Sequence, residues 1–293
     1  MTIAPPILIA GPTASGKSSL ALSLAERYGG VVINADSMQV YRELRVLTAR
    51  PTPQDEARAP HALYGHVSAS EPYSVGRWVD DVRAAISDAR KQHLRPIIVG
   101  GTGLYFKALL EGLSAIPPVP ADIRAHWRAE AAALGAPALH SMLAERDPEM
   151  GARLRSNDTQ RVTRALEVLA ATGRSLADWQ REPGVPVLRP EDTERLLVLP
   201  ERTDLHARCD RRFDAMMAAG AEAEVKSLMA LGLDPALPAI GALGVAPLAA
   251  MLAGLRTRDE AIAQAKTETR QYAKRQLTWI KRHMSSWSEH ITQ

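Results

Sequence analysis

Three features of the sequence predict an α/β fold, a parallel sheet covered by helices and interrupted by an all-helical insertion. Short apolar runs alternate with segments of helical period through the first third of the chain. A glycine-rich loop joins the first apolar run to the first helical segment. Between Pro117 and Pro190 the pattern is helical throughout, with no run that reads as a strand. A chain of 293 residues, 46% hydrophobic and 24% charged, can bury a sizeable core, which excludes the disordered and collagen-like classes. A single cysteine, Cys209, excludes an internal disulfide and a cysteine-rich zinc module, and suits a reducing compartment.

The elements follow in order. Ile7 to Ala10 reads as the first strand and not as a signal peptide, because no basic segment precedes it and Pro5 and Pro6 interrupt the apolar stretch. Ser18 to Tyr28 reads as a helix with Leu20, Ala21, Leu24 and Tyr28 on one face, and Val31 to Ile33 as a second strand. Val75, Trp78, Val79, Val82, Ile86 and Ala89 step at helical spacing before a third strand, Arg95 to Val99. Helices are expected over Ile123–Leu134, Ala138–Glu145 and Thr159–Ala171, and a late strand at Leu196–Leu199. Proline clusters at 117–120 and 183–190 mark joints. The expected organisation is a core formed by residues 1–116 and 193–293, with residues 117–192 as the insertion. Pro235 to Leu255 has no charged residue, but its prolines and glycines make a poor helix, so no membrane span is expected.

The strongest chemical signal is Gly11-Pro12-Thr13-Ala14-Ser15-Gly16-Lys17-Ser18, a complete P-loop pattern placed, as the pattern requires, between a strand and a helix. Such a loop turns backbone N–H groups and a helix N-terminus toward phosphate oxygens. Lys17 adds a point charge, and the Ser18 hydroxyl is the candidate magnesium ligand. The expected fold is therefore P-loop NTPase-like. The strand at Arg95 runs into Gly100-Gly101-Thr102-Gly103, without the acid of a nucleotide-hydrolysing motor, and no guanine-specificity motif occurs. The second strand leads to Asp36 at the carboxyl edge of the sheet. Position alone leaves Asp36 as a magnesium ligand, a general base or a loop cap.

Several blocks then fall in a distinctive order. They are the P-loop, Asp36-Ser37-Met38-Gln39 with Tyr41-Arg42, and Gly100 to Leu109 (GGTGLYFKAL). Asn157 to Glu167 (NDTQRVTRALE), Arg208 to Phe213 and Gln271 to Ile280 (QYAKRQLTWI) follow. Together they resemble the bacterial tRNA dimethylallyltransferases over nearly the whole chain. The resemblance implies transfer of a dimethylallyl group from dimethylallyl diphosphate to N6 of the adenosine just 3′ of a tRNA anticodon, with Mg2+ as cofactor. It also implies a cytoplasmic enzyme, expected to be a monomer, whose insertion grips the anticodon stem-loop. By the same resemblance Asp36 accepts the N6 proton, Lys17 and Thr102 join it in catalysis, and Arg208 and Arg212 are candidates to reach the diphosphate with the P-loop, with a structural pairing to Asp204 or Asp210 as the alternative. Contacts to tRNA are implied for Asp36, Ser37, Met38, Gln39, Thr102, Arg124 and the run Gln160, Arg161, Val162, Thr163, Arg164. Lys266, Arg270, Lys274 and Lys281 add a basic stripe near the C-terminus, a second candidate RNA surface.

One departure stands out: the family's Gly-Tyr-Arg or Gly-Tyr-Lys step reads Gly244-Val245-Ala246 here, which removes two RNA-contact side chains. Two rivals remain open on sequence, a P-loop small-molecule kinase with a basic lid and an RNA-binding protein that keeps a structural P-loop.

Overall fold

The computed structural model describes residues 4–290. It separates into two compact units, residues 1–110 with 187–293, and residues 111–186. Both edges of the second unit fall earlier than the prolines suggest. The amides of Val187 and Leu188 already donate to the Leu109 carbonyl, at 2.9 and 3.1 Å, which returns the chain to the first unit before Pro190.

The first unit opens with β1 (Ile7–Ala10), α1 (Lys17–Tyr28), β2 (Gly30–Asn34), α2 (Pro53–Arg58), β3 (His61–Ala62), α3 (Val75–Lys91), β4 (Arg95–Gly100) and α4 (Gly103–Glu111). The second unit supplies α5 (Ala121–Arg146), α6 (Pro148–Arg153), α7 (Thr159–Thr172) and α8 (Leu176–Arg181). The first unit then resumes with β5 (Glu194–Val198), α9 (Arg202–Ala218), α10 (Ala221–Ala230), α11 (Val245–Leu252), α12 (Arg258–His283) and β6 (Ser288–His290).

All six strands are parallel, in the order β3-β2-β4-β1-β5-β6. The three central strands are buried along their whole length, as expected of strands covered on both faces. The edge strands β3 and β6 escape sequence reading because they are two and three residues long and lack an apolar run. Register places Ala10 beside Gly100 and Asn34 beside Val99, so the P-loop, the Asp36 loop and the Thr102 loop leave the sheet at one edge. At the other end Arg95 is buried, donating through Nε to the Pro5 carbonyl at 2.7 Å and through Nη2 to Glu194 at 2.5 Å.

The inward face of α1 is Ala21, Leu22 and Ala25. Tyr28 is exposed, with the guanidinium groups of Arg27 and Arg95 lying over its ring. In the second unit, Trp127, Leu139, Leu143, Val162 and Leu166 form a separate core. Its long helix α5 is broken at Gly135 (φ 75°, ψ 167°), which yields the two helices expected on either side. The uncharged stretch at 235–255 contains only a single-turn 3₁₀ segment and α11, and no helix among the described residues is long and apolar enough to cross a membrane.

Candidate functional site

The P-loop works through its backbone. Gly16 takes φ 92° at the mouth of α1, a conformation that favours glycine. Gly11 lies so close to β5 that a Cβ would stand 2.7 Å from the Val198 carbonyl oxygen. The leading N–H groups of α1 have no helical acceptor and face outward with the positive end of the helix dipole. Not every residue of the motif can serve an anion. Pro12 has no N–H, and its carbonyl accepts from Lys17 Nζ at 3.0 Å. The Thr13 N–H donates to Gln276 Oε1 at 2.9 Å. The Ser15 side chain is buried, and its hydroxyl has no partner among the described residues.

Lys17 is buried, and its pKa is lowered to about 8. Burial is the larger cause, and the neighbouring Arg212 guanidinium acts in the same direction, against the Asp36 carboxylate. Arg212 is depressed by burial too; it donates through Nη2 to the Thr48 carbonyl at 3.4 Å, and its Nε is buried without a partner among the described residues. Buried Lys17 and half-buried Arg212, beside the leading amides of α1, form a site for a multiply charged anion. Arg208, although one turn away on the same helix, sits in a surface ion pair with Asp204 at 3.1 Å. Spacing placed the two arginines on one face; only Arg212 is drawn into the buried site beside Lys17.

Asp36 follows β2 in a tight turn organised by Asn34, which is fully buried. Asn34 Oδ1 accepts from the Asp36 amide at 2.8 Å, while Nδ2 donates to the carbonyls of Asp36 and Leu63 at 2.9 and 3.1 Å. The Trp78 indole N–H donates to the Asn34 carbonyl at 2.9 Å, and its ring stacks on Tyr105 at 4.3 Å. Asp36 Oδ1 accepts from the Met38 amide at 2.9 Å, which leaves Oδ2 free among the described residues. The charge of Asp36 reaches Lys17 and Arg212. It also raises the pKa values of Tyr64, Tyr105 and Tyr272, in each case after burial, so these phenols stay protonated around it. Thr102 joins the same cluster: its Oγ1 accepts from the Ser37 amide at 3.0 Å, and its own amide donates to Ala35 at 3.3 Å. A Cβ at Gly100 would stand 1.9 Å from the Ala35 oxygen, so the two loops touch through backbone.

Gln39 spends its amide hydrogens on Thr48 and Ala49, at 2.8 and 3.1 Å. The loop that receives them is built by Glu224, whose carboxylate accepts the amides of Arg45, Val46 and Leu47 at 2.7, 2.7 and 2.9 Å. Asn34, Glu224 and Gln276 are absent from the sequence-derived site set: Gln276 stands within the Gln271–Ile280 block but its role there is not legible from it, and all three act on backbone.

In the second unit Arg124, Gln160, Arg161 and Arg164 are exposed. Val162 and Thr163 are corrections to the expected RNA contacts. Both are buried on the inner face of α7, Val162 in the unit's core and Thr163 donating to the Thr159 carbonyl at 2.8 Å. Consecutive residues of a helix point about 100° apart, so a contact run cannot present all its side chains to one partner. The basic stripe of α12 is also narrower than expected. Lys266 pairs with Asp214 at 2.7 Å and Arg270 with Asp210 at 2.5 Å, both acids on α9. Lys274, Arg275, Lys281 and Arg282 stay exposed, with no ion pair among the described residues.

Gly244-Val245-Ala246 is not an open loop. Val245 is 1% exposed at the start of α11, and a Cβ on Gly244 would stand 3.0 Å from Leu47 and 3.1 Å from Phe213. A tyrosine at 245 has no surface to reach, whereas the neighbouring Ala246 is exposed. Val245→Tyr is expected to cost about 1–3 kcal/mol of stability through overpacking, read by denaturant titration. An unchanged midpoint would contradict this packing.

Comparisons with known proteins agree with the geometry. A family model described as IPP transferase matches residues 39–283, and one described as isopentenyl transferase matches residues 6–60. The tRNA dimethylallyltransferase of Nitrobacter hamburgensis is 54% identical over 278 residues, covering 95% of this chain and 88% of that protein. The enzyme of the same name from Rhodopseudomonas palustris strain BisB18 is 56% identical, with the same coverage. Among solved structures, the tRNA isopentenylpyrophosphate transferase of Bacillus halodurans superposes with TM-score 0.70 at 33% identity, covering 98% of this chain and 89% of that one. A eukaryotic dimethylallyltransferase acting on tRNA gives 0.78 at 30% identity, covering 94% and 70%.

Proposed function

This chain belongs to the IPP transferase family, and from that premise we propose that it transfers a dimethylallyl group from dimethylallyl diphosphate to N6 of the adenosine 3′ of a tRNA anticodon. The products are N6-isopentenyladenosine and diphosphate. The observation that carries the reading is the joining at one sheet edge of a P-loop with two cations, buried Lys17 and half-buried Arg212, to the Asp36–Thr102 cluster. The first half suits a diphosphate leaving group; the second suits an amine that must be oriented and deprotonated.

When the allylic C–O bond breaks, negative charge gathers on the departing diphosphate. Lys17, Arg212 and the leading amides of α1 already face that position, so little reorganisation accompanies the charge. Bond formation at N6 leaves a proton to remove, and Asp36 Oδ2 is the acceptor available. Thr102 keeps Ser37, and through it the Asp36 loop, in register with β4. The exposed Ser18 hydroxyl, one residue into α1, suits a magnesium ion held mainly by diphosphate oxygens. No group of three or more His, Cys, Asp or Glu among the described residues forms an all-protein metal cage. Bound there, magnesium would neutralise leaving-group charge.

The exposed Arg124, Arg161 and Arg164, with the basic end of α12, are the proposed phosphate contacts to the anticodon stem-loop. The target base has to leave its stack to be reached. A cytoplasmic setting and a monomeric state belong to the same proposal.

Incubating the protein with magnesium, dimethylallyl diphosphate and unmodified tRNA tests the reading, with mass spectrometry of the released nucleosides. A C5H8 gain on adenosine is expected. ATP consumption with a small acceptor, or RNA binding without turnover, would replace the proposal with one of its rivals.

The lowered pKa of Lys17 predicts a pH dependence. Lys17 loses its proton as pH rises through about 8, so the free enzyme loses attraction for diphosphate above that pH. kcat/KM for the diphosphate should fall on this alkaline limb, while tRNA affinity measured without donor stays level. A flat kcat/KM between pH 7 and 9.5 would remove Lys17 from the charged contacts.

A further inference from the structure

Gln276 lies on α12, is 7% exposed, and bonds to two loops that leave neighbouring strands. Its Oε1 accepts from the Thr13 amide of the P-loop at 2.9 Å. Its Nε2 donates to the Gly101 carbonyl, beside Thr102, at 2.9 Å. A Cβ at Gly101 would stand 2.3 Å from Nε2, so glycine leaves the room this side chain occupies. One turn on, Trp279 covers Gly103 so closely that a Cβ there would stand 2.2 Å from indole Cε3.

The sheet holds β1 and β4 together only as far as Ala10 and Gly100. Beyond that pair the paired register ends, and although Gly101 still lies against Gly11, where a Cβ would stand 3.4 Å from the Gly11 carbonyl oxygen, strand pairing no longer sets the separation of the two loops. One of them carries the leaving-group site, the other the residue that registers the Asp36 loop. A primary carboxamide is suited to join them because it has an acceptor and a donor on one carbon; a carboxylate lacks the donor, and a thioether lacks effective forms of both.

We propose that Gln276 is a positioning residue, a strut that sets the separation between the diphosphate loop and the acceptor-base loop. It touches neither substrate. Its effect is on the approach of N6 to the allylic carbon, where a misplacement of about 1 Å can cost about 10²-fold in rate. The inference rests on the dimethylallyl-transfer reading of the site.

The test compares Gln276→Met and Gln276→Glu with the wild type in three measurements: kcat with both substrates saturating, affinity for tRNA and for inorganic diphosphate, and amide hydrogen exchange by peptide. In Gln276→Met we expect kcat to fall about 10- to 100-fold, with both affinities within about threefold of wild type and faster exchange confined to the 11–16 and 100–104 peptides. Gln276→Glu keeps the side-chain shape and serves if the Met variant folds poorly; it should lose kcat and loosen the 100–104 loop first. Wild-type kcat in a folded variant, or unchanged exchange in both loops, overturns the strut. So does exchange that rises throughout the protein, because that marks a general loss of stability. If the wild type transfers nothing to tRNA, the functional reading falls, and the exchange and diphosphate measurements still decide whether Gln276 holds the loops.

Discussion

Lys17→Ala is expected to lower the rate of dimethylallyl transfer by at least about 10²–10³-fold, the scale seen when one preorganised charge-stabilising group is lost. The physical reason is the burial of the ammonium beside Arg212 in a site built around anion-facing amides. In such surroundings its charge is poorly screened, and its effect grows as the diphosphate takes on charge in the transition state. The remaining Arg212 and loop amides keep some donor affinity, so the loss should appear in turnover as well as in KM. tRNA affinity should stay nearly unchanged, because Lys17 is buried and its ammonium donates to the Pro12 carbonyl within the P-loop itself. Single-turnover rates with saturating donor, set beside tRNA binding isotherms, separate the two quantities. A drop in tRNA affinity as large as the drop in rate would mean that the donor and RNA sites are not divided as described.

Asp36→Asn carries the second large expectation, a fall of about 10²–10⁴-fold in the transfer rate, the range for loss of a general base. The substitution is informative because the turn should survive it. An asparagine oxygen can still accept from the Met38 amide, and the Asn34 and Thr102 contacts around it run through backbone. What disappears is a carboxylate oxygen at the Oδ2 position. In the proposed reaction Asp36 orients N6 and takes its proton late in bond formation. If the carboxylate acted instead as a magnesium ligand, raising the magnesium concentration should recover much of the activity. Recovery of that kind would move Asp36 from proton acceptor to metal ligand.

The two residues differ in how far sequence reached them. Lys17 and the P-loop are legible because the phosphate-binding loop is a continuous segment whose geometry is local. Asp36 is legible as a carboxylate after a strand, but its surroundings are not. Asn34 and Trp78 build its turn across 44 positions of chain, and Glu224 organises the 45–47 loop from 177 positions away or more. Arg208 and Arg212 show the limit of periodicity. Spacing of four puts both on one face, yet it does not say how deep each position on that face is buried, and one ended in a surface ion pair while the other entered the site. The same limit explains Val162 and Thr163, where a contiguous resemblance to an RNA-contact run was cut by the helical turn into exposed and buried members.

By itself the sequence determined the parallel α/β core, the helical insertion, the P-loop and the carboxylate after β2, because these follow from short-range steric and hydrophobic periodicities along contiguous chain. Only the tertiary structure decided which cations stay free. Asp210 and Asp214 of α9 neutralise Arg270 and Lys266, and the burial of Val245 withdraws its side chain from any RNA surface, while its neighbour Ala246 stays exposed. It also decided what ties the loops together, since the Thr13 amide and the side chain of Gln276 meet across 263 positions. Charge compensation and hydrogen bonding act over a few ångströms of space, whatever the separation along the chain, and the fold alone supplies that proximity.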